Sequence, residues 1–171
     1  IHMRIAAFAA GLGDIGYNKM FLSPQFGPRQ RLAAIITEAP LEPDPMPGER
    51  ICDQCKSCVR ACTVGAIPQD RTVKISVAGR DVEWADIDMG KCETGFQGAS
   101  EAHNPFVVTE EDRIGCKTYG YKVPSLYFYA RALEGASGCI RACMIHLAEK
   151  GRTSNTFREP FRTRKPWRFP A

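Results

Sequence analysis

A chain of 171 residues with 44% apolar side chains has room for one domain, or one and a half, and material for a core. No apolar run reaches the ~18 residues of a membrane-crossing helix, and no secretory signal is visible, so a cytoplasmic location without a membrane span is expected. The net charge of +4 conceals a split: from Arg152 onward six basic residues face the single Glu159, a balance of +5, which leaves −1 for residues 1–151. The opening run Ile1-His2-Met3-Arg4-Ile5-Ala6-Ala7-Phe8-Ala9-Ala10 reads as a helix with Ile1, Ile5, Phe8 and Leu12 on one stripe. No N-cap residue precedes it, which suggests a segment of something longer. Gly11-Leu12-Gly13-Asp14-Ile15-Gly16 spells G-x-G-x-x-G, yet a dinucleotide fingerprint needs a strand before it and a helix after it. Here a helix comes first and Ser23-Pro24 soon follows, so the glycines predict a tight turn with a positive φ. Asp14 within it is expected to bond nearby backbone N–H groups. Gln25-Phe26-Gly27-Pro28-Arg29 is a second turn. Arg31-Leu32-Ala33-Ala34-Ile35-Ile36-Thr37 reads as a strand or short helix, its β-branched content favouring strand. Residues 42–48 hold three prolines and no apolar pattern, which makes them a connector and the best boundary in the chain.

The first cysteine run follows at once. Cys52, Cys55, Cys58 and Cys62 are spaced C-x2-C-x2-C-x3-C, the spacing of a bacterial-type 4Fe-4S ferredoxin run. A short turning loop can aim three sulfurs, spaced three residues apart, at three corners of one small cube. The fourth, set apart, ligates the other cube in two-cluster proteins. Cys139 and Cys143 repeat the C-x3-C ending, and Cys92 and Cys116 bring the total to eight, the number two cubanes need. If the half-motifs pack as in two-cluster ferredoxins, Cys52, Cys55, Cys58 and Cys143 form one set. Cys62 and Cys139 then join Cys92 and Cys116, both assigned by elimination, in the other. The alternatives are one cluster with spare thiols, a buried free thiol at Cys116, or zinc or disulfides. Zinc prefers two well-separated C-x2-C pairs. Disulfides need an oxidising compartment, and within residues 52–62 they would close short strained loops.

Beyond the run, Val73, Ile75 and Val77 alternate with polar residues, and Ala78-Gly79-Arg80-Asp81 leads to Val82 and Trp84, which predicts a hairpin. Residues 93–115 carry no clear pattern apart from a turn at Asn104-Pro105-Phe106. Helices are expected from Pro124 to Leu133 and from Ile140 to Lys150, the latter stopped by Gly151. His103 reads as a surface loop residue and His146 as packed or solvated rather than a ligand. Lys56, Arg60 and Arg141 lie within the ligand loops and would raise a cluster's potential if they face sulfur. The tail interleaves Phe157, Phe161, Trp167 and Phe169 with its basic residues, which suits docking on the acidic core or a neighbour. The stretch is short for nucleic acid, and no such partner is expected. No serine–histidine–aspartate set, phosphate loop or H-E-x-x-H is present, so hydrolysis and nucleotide chemistry have no support.

Several stretches together are similar to known families. Residues 9–16, then Leu22-Ser23-Pro24-Gln25-Phe26-Gly27-Pro28-Arg29, Thr37, Pro40-Leu41-Glu42 and the cysteine run ending Gly65-Ala66-Ile67 occur in one order. They resemble the segment before, and the start of, the iron–sulfur domain in epoxyqueuosine reductase and the corrinoid-dependent reductive dehalogenases. Lys91-Cys92 falls where those families place the isolated first cysteine of their second cluster. The similarity runs from about Ile5 to Ala148 and is loose through 93–135. It implies an α+β fold, a two-cluster bacterial-type ferredoxin-like domain over 42–151. A remnant of an α/β corrinoid-reductase-like domain would precede it at 1–41, and the basic aromatic tail, 152–171, would follow.

In those families two 4Fe-4S clusters feed electrons to a cobalamin, most of whose pocket lies upstream. The resemblance therefore implies an electron-transfer module of an oxidoreductase that lacks the catalytic site on its own. Its partners would be a corrinoid-binding domain or subunit and a donor such as ferredoxin or flavodoxin. Gly11, Gly13, Gly16, Lys19 and Arg29 are the candidates for corrinoid contacts, local turn structure being the other reading. A self-contained ferredoxin-like carrier, or a redox subunit of another complex, is the alternative. The chain departs from both families at Thr63 and Met144, where proline usually follows each run, and at Ala136, where a further cysteine would stand.

Overall fold

A computed structural model describes residues 2–42, 45, 48–97 and 138–155. Cys116, His103, the turn at 104–106, the helix expected from Pro124 to Leu133 and the tail beyond Asn155 lie outside them. The described part is a small α+β structure: α1 (Met3–Ala9), β1 (Asp14–Ile15), β2 (Phe21–Leu22), α2 (Ser57–Arg60), β3 (Thr72–Val77), β4 (Arg80–Ala85), α3 (Met89–Gln97) and α4 (Gly138–Glu149).

The opening helix is capped after all. His2 takes the N-cap position, and its Nδ1 accepts the Ile5 N–H at 3.4 Å. Phe8 is buried and Ile5 packs beside it, whereas Leu12, expected on the same stripe, is 53% exposed. The helix has ended by then, and Gly11 at φ 75° turns the chain away. The glycine-rich stretch then becomes a minimal antiparallel hairpin, with Asp14 opposite Leu22 and Ile15 opposite Phe21. Glycine is required at 13 because β2 lies against it: a Cβ there would sit 2.1 Å from the Leu22 carbonyl oxygen. The second turn forms at the expected place, closed by reciprocal backbone bonds between Ser23 and Gly27.

Residues 31–37 form neither strand nor helix, contrary to the expectation from their composition. Strand propensity needs a neighbour to satisfy the ladder, and among the described residues none pairs with this stretch.

The hairpin of β3 and β4 forms as predicted, in the register Ile75 to Val82 and Val77 to Arg80. Ala78 (φ 50°) and Gly79 (φ 75°) are both left-handed, the combination that matches the twist of a two-residue hairpin. One face of this hairpin meets the start of the chain: Phe8, Ile15, Val82 and Trp84 make one buried cluster, with Ile5, Ile75 and Val77 around it. A second cluster joins Tyr17, Cys58, Ile67 and Ala85. The Ala85 N–H also bonds the Tyr17 carbonyl at 2.8 Å. Leu22, Ile51 and Leu147 make a third, which brings α4 onto β2.

The last helix begins at Gly138, two residues before the predicted start, and stops as predicted. The Arg152 N–H bonds the Leu147 carbonyl and the Gly151 N–H that of Ala148, with Gly151 at φ 62°. This pair of bonds is the Schellman ending. At the other end of α4, a Cβ on Gly138 would meet the Ala61 carbonyl oxygen at 2.9 Å, so α4 starts tightly against the end of α2.

Candidate metal centre

Short-range geometry bends the first cysteine run around a cavity. Gln54 (φ 56°) and Lys56 (φ 59°) are both left-handed and turn the chain twice between Cys52 and Cys58. One turn of helix, α2, then carries Cys58, and Cys62 follows its end. Across from it, α4 supplies Cys139 and Cys143 four residues apart, on one side of the helix. Cys52, Cys55, Cys58 and Cys143 line a single cavity together with Tyr17, Asn18, Asp53, Gln54, Lys56, His146 and Leu147.

The electrostatics couple the thiols of this cavity to one another and also to Cys139. Burial, then the neighbouring Cys52, Cys58, Cys55 and Cys139, push the Cys143 thiol up to about 12. Cys58 is pushed up to about 12 by burial, then by Cys52, Cys139 and Cys55. Burial also raises Cys52, against N–H bonds from Tyr17 and Gln54. The remaining described thiols interact too: burial followed by Cys62 and Cys92 raises Cys139, and burial followed by Cys62 raises Cys92. Cys92 is brought there by α3, where the Asp88 carboxylate accepts the Lys91 N–H at 3.0 Å in the manner of an N-cap. No disulfide joins these seven described cysteines. Cys116, the eighth, lies outside the described residues.

Such crowding is unfavourable for bare thiolates and favourable for thiolates bound to cations, because a metal replaces the protons and cancels the mutual repulsion. Four thiols around one cavity fit the ligand set of a 4Fe-4S cluster, and Cys62, Cys92 and Cys139 would offer three donors to another metal group. Backbone N–H groups already point at sulfur, among them Tyr17 N to Cys52 Sγ at 3.4 Å and Ala66 N to Cys62 Sγ at 3.2 Å. Hydrogen bonds of this kind favour the more negative state and so raise a cluster's potential.

Several supporting residues escaped the sequence reading. Asp14 bonds backbone, as expected, but reaches far along the chain. Its Oδ1 accepts the Ile15 N–H at 2.8 Å, and its Oδ2 accepts those of Ile51 (3.1 Å) and Cys52 (3.3 Å). Tyr17 closes the floor: its hydroxyl donates to the Pro68 and Gln69 carbonyls, and Lys56 Nζ stands 3.0 Å from its ring centroid. His146 is packed, with Nε2 2.7 Å from Asp53 Oδ2, a contact linking α4 to the first cysteine loop. The ligand atoms of Asp53, Cys55 and His146 fall within 4.8 Å of one another. Burial would raise the Asp53 carboxyl, but the His146 hydrogen bond and charge outweigh it and hold it below the usual range. Apart from the local bond between Asp14 and Ile15, these contacts have no sequence signal, since each spans a long stretch of chain.

The basic residues of the loops separate. Lys56 lines the cavity, whereas Arg60 is exposed and bonds the Cys55 carbonyl and the Ser57 hydroxyl; Arg141 is exposed. Of the corrinoid candidates, Gly11 and Gly13 serve the turn and the close approach of β2, and Gly16 faces Leu22 and Asn18. The Lys19 ammonium stands 5.4 Å from the Trp84 ring centroid, and Arg29 bonds the Phe26 and Asn155 carbonyls.

No protein-family model matches the chain, and no solved structure matches it. Curated relatives do. The chain is 36% identical over 72 residues to the tetrachloroethene reductive dehalogenase of Desulfitobacterium hafniense, covering 40% of this chain and 13% of that protein. It is 41% identical over 64 residues to the epoxyqueuosine reductase of Bacillus subtilis, covering 37% and 16%. With the epoxyqueuosine reductase of Bacillus anthracis it is 36% identical over 119 residues, covering 68% and 26%. The chain thus spans between about an eighth and a quarter of the length of these relatives. Two kinds of reductase, epoxyqueuosine reductase and tetrachloroethene reductive dehalogenase, are therefore what this chain resembles, as the order of its motifs implies.

Proposed function

We propose that this chain is an electron-transfer module holding two 4Fe-4S clusters and delivering electrons to a cobalamin in a longer reductase. The observation that supports this most is the set of four thiols, from Cys52, Cys55, Cys58 and Cys143, around one cavity, with Cys62, Cys92 and Cys139 close enough to interact with one another. A redox role is consistent with the reductases it resembles. When bound, each cubane supplies a one-electron carrier whose potential follows charge, hydrogen bonding and burial.

The chain's own residues set those conditions. Cys52, Cys55, Cys58 and Cys143 hold the first cluster, and Cys62, Cys92, Cys139 and Cys116 the second. The crossing of Cys62 and Cys143 between α2 and α4 keeps the two sites adjacent. Tyr17 and Leu147 shut water out of one side of the first site. The Tyr17 and Ala66 N–H groups and the Lys56 ammonium supply positive charge. Gly11, Gly13, Gly16, Lys19 and Arg29 are the residues with which a corrinoid domain would be in contact.

Anaerobic reconstitution followed by iron and sulfide analysis tests the reading. About eight of each per chain, with a spin-coupled two-cluster EPR signal on reduction, are expected. Fewer than about four iron atoms per chain would overturn it. Cobalamin retention by a polypeptide extended upstream, and not by the chain alone, tests the second half.

A further inference from the structure

Arg50, Arg71, Lys74 and Lys91 each face a carboxylate, at 3.6 to 3.8 Å. Lys56, Arg60 and Arg141 have no such partner among the described residues, and they gather at the first cysteine site. Lys56 lines its cavity, Arg60 bonds the Cys55 carbonyl, and Arg141 lies on the exposed side of α4, which packs on α2. The site opens to solvent on this side. Tyr17, Cys58 and Leu147 are buried, whereas Asp53 and Arg60, on either side of Cys55, are exposed. The Asp53 carboxylate is taken up by His146 at 2.7 Å, which leaves the cations to set the sign of the surface.

Arg60 is also linked to sulfur. Its guanidinium donates to the Cys55 carbonyl at 3.1 Å and to the Ser57 hydroxyl oxygen at 2.8 Å, and Ser57 Oγ stands 3.4 Å from Cys55 Sγ. A metal-bound thiolate has no proton to give, so with a cluster in place the Ser57 hydroxyl turns its own proton to sulfur. A surface cation, a hydroxyl and a ligand sulfur then stand in series. A cubane on four thiolates is anionic, and a negatively charged donor approaches it most readily where fixed cations offset that charge. Electron-transfer encounters bury little surface, so a few cations can dominate one.

We propose that the Cys55 edge, framed by Lys56, Arg60 and Arg141, is the docking surface for an acidic one-electron carrier protein, and that electrons enter the chain there, through the first cluster. The proposal deepens the electron-transfer reading and rests on it. With a flavin carrier, one electron leaves the anionic hydroquinone, which becomes the neutral semiquinone, and enters the cluster; no bond breaks and no proton moves.

Titrating isotope-labelled oxidised flavodoxin, an acidic carrier, with the anaerobically reconstituted 171-residue chain reads docking without electron transfer. Its amide signals should shift, and the affinity should fall about tenfold between about 20 and about 200 mM salt, as screening shortens the reach of the charges. Arg141 has no hydrogen bond to a ligand loop among the described residues. Arg141→Glu should therefore weaken docking and slow reduction by flavodoxin hydroquinone, each roughly tenfold, at an unchanged midpoint potential. Arg60→Gln should weaken docking and also lower the first cluster's midpoint, because it removes the charge in series with sulfur. Photoreduced deazaflavin, an uncharged reductant, should reduce the parent and Arg141→Glu at equal rates. Lys91→Glu makes the same change in net charge beside Cys92 and should leave docking as it is. Docking that is absent or indifferent to salt overturns the proposal, as does an Arg141→Glu chain that docks like the parent. So does a loss in Lys91→Glu as large as that in Arg141→Glu. A chain that holds fewer than about four iron atoms, or that deazaflavin cannot reduce, refutes the electron-transfer reading itself, which is a separate result.

Discussion

Replacing Asp14 tests how the first cysteine loop is held. Its side chain is buried, and it accepts the N–H groups of Ile51 and Cys52 at 3.1 and 3.3 Å, with Arg50 Nε 3.6 Å from the same oxygen. The third bond, to Ile15, is local. Hydrogen bonds to a charged acceptor contribute ~1.5–3 kcal/mol each. The two long-range bonds are of ordinary length, so the lower figure applies, and Asp14→Ala should cost about 3 kcal/mol. With a urea slope of ~2 kcal/mol/M this moves the midpoint by about 1.5 M. Asp14→Asn keeps one carbonyl oxygen without the charge and should cost about half as much. The assay is urea unfolding of the anaerobically reconstituted chain by far-ultraviolet circular dichroism, with iron release to a chelator followed in parallel. Because Cys52 loses the acceptor that fixes its backbone, release should be faster in both variants. An alanine variant within about 0.3 M of the parent midpoint, at unchanged slope, would refute the reasoning. Equal losses for alanine and asparagine would show that the pairing with Arg50, rather than the two N–H bonds, carries the effect.

Further outcomes follow from the same contacts. Cys143→Ala should remove about four of eight irons while leaving the signal of the other cluster, and Cys139→Ala should do the converse; iron analysis with EPR checks both. Gly13→Ala places a methyl 2.1 Å from the Leu22 carbonyl and should destabilise the chain by about 3 kcal/mol, read as a lowered melting temperature. Lys56→Glu should lower the midpoint potential of the first cluster by tens of millivolts in a redox titration, since it reverses a charge lining that cavity. Stripping iron should unfold the region around α2 and α4, because the thiols of Cys58, Cys139 and Cys143 themselves stand within the apolar clusters that join these helices to the rest. A native-like thermal transition after chelation would contradict that.

Local spacing determined a good deal by itself. The cysteine run, the β3–β4 hairpin with its Ala78-Gly79 turn, the turn at Gly11 and the stop at Gly151 depend on near neighbours and on backbone angles few residues can adopt. These are legible because period and φ preference are written residue by residue. Position in space is not. That Asp14 reaches Cys52, that Tyr17 underlies Lys56, and that His146 meets Asp53 across 93 residues came only from packing two distant segments together. The strand expected at residues 31–37 marks the same divide from the other side. Its composition suits a sheet, but a strand is defined by its partner, and propensity cannot supply one. Eight cysteines at these spacings suggest metal ligands; which of the described ones share a cavity depended on packing, in which the tight contact of Gly138 on Ala61 lets two helices meet.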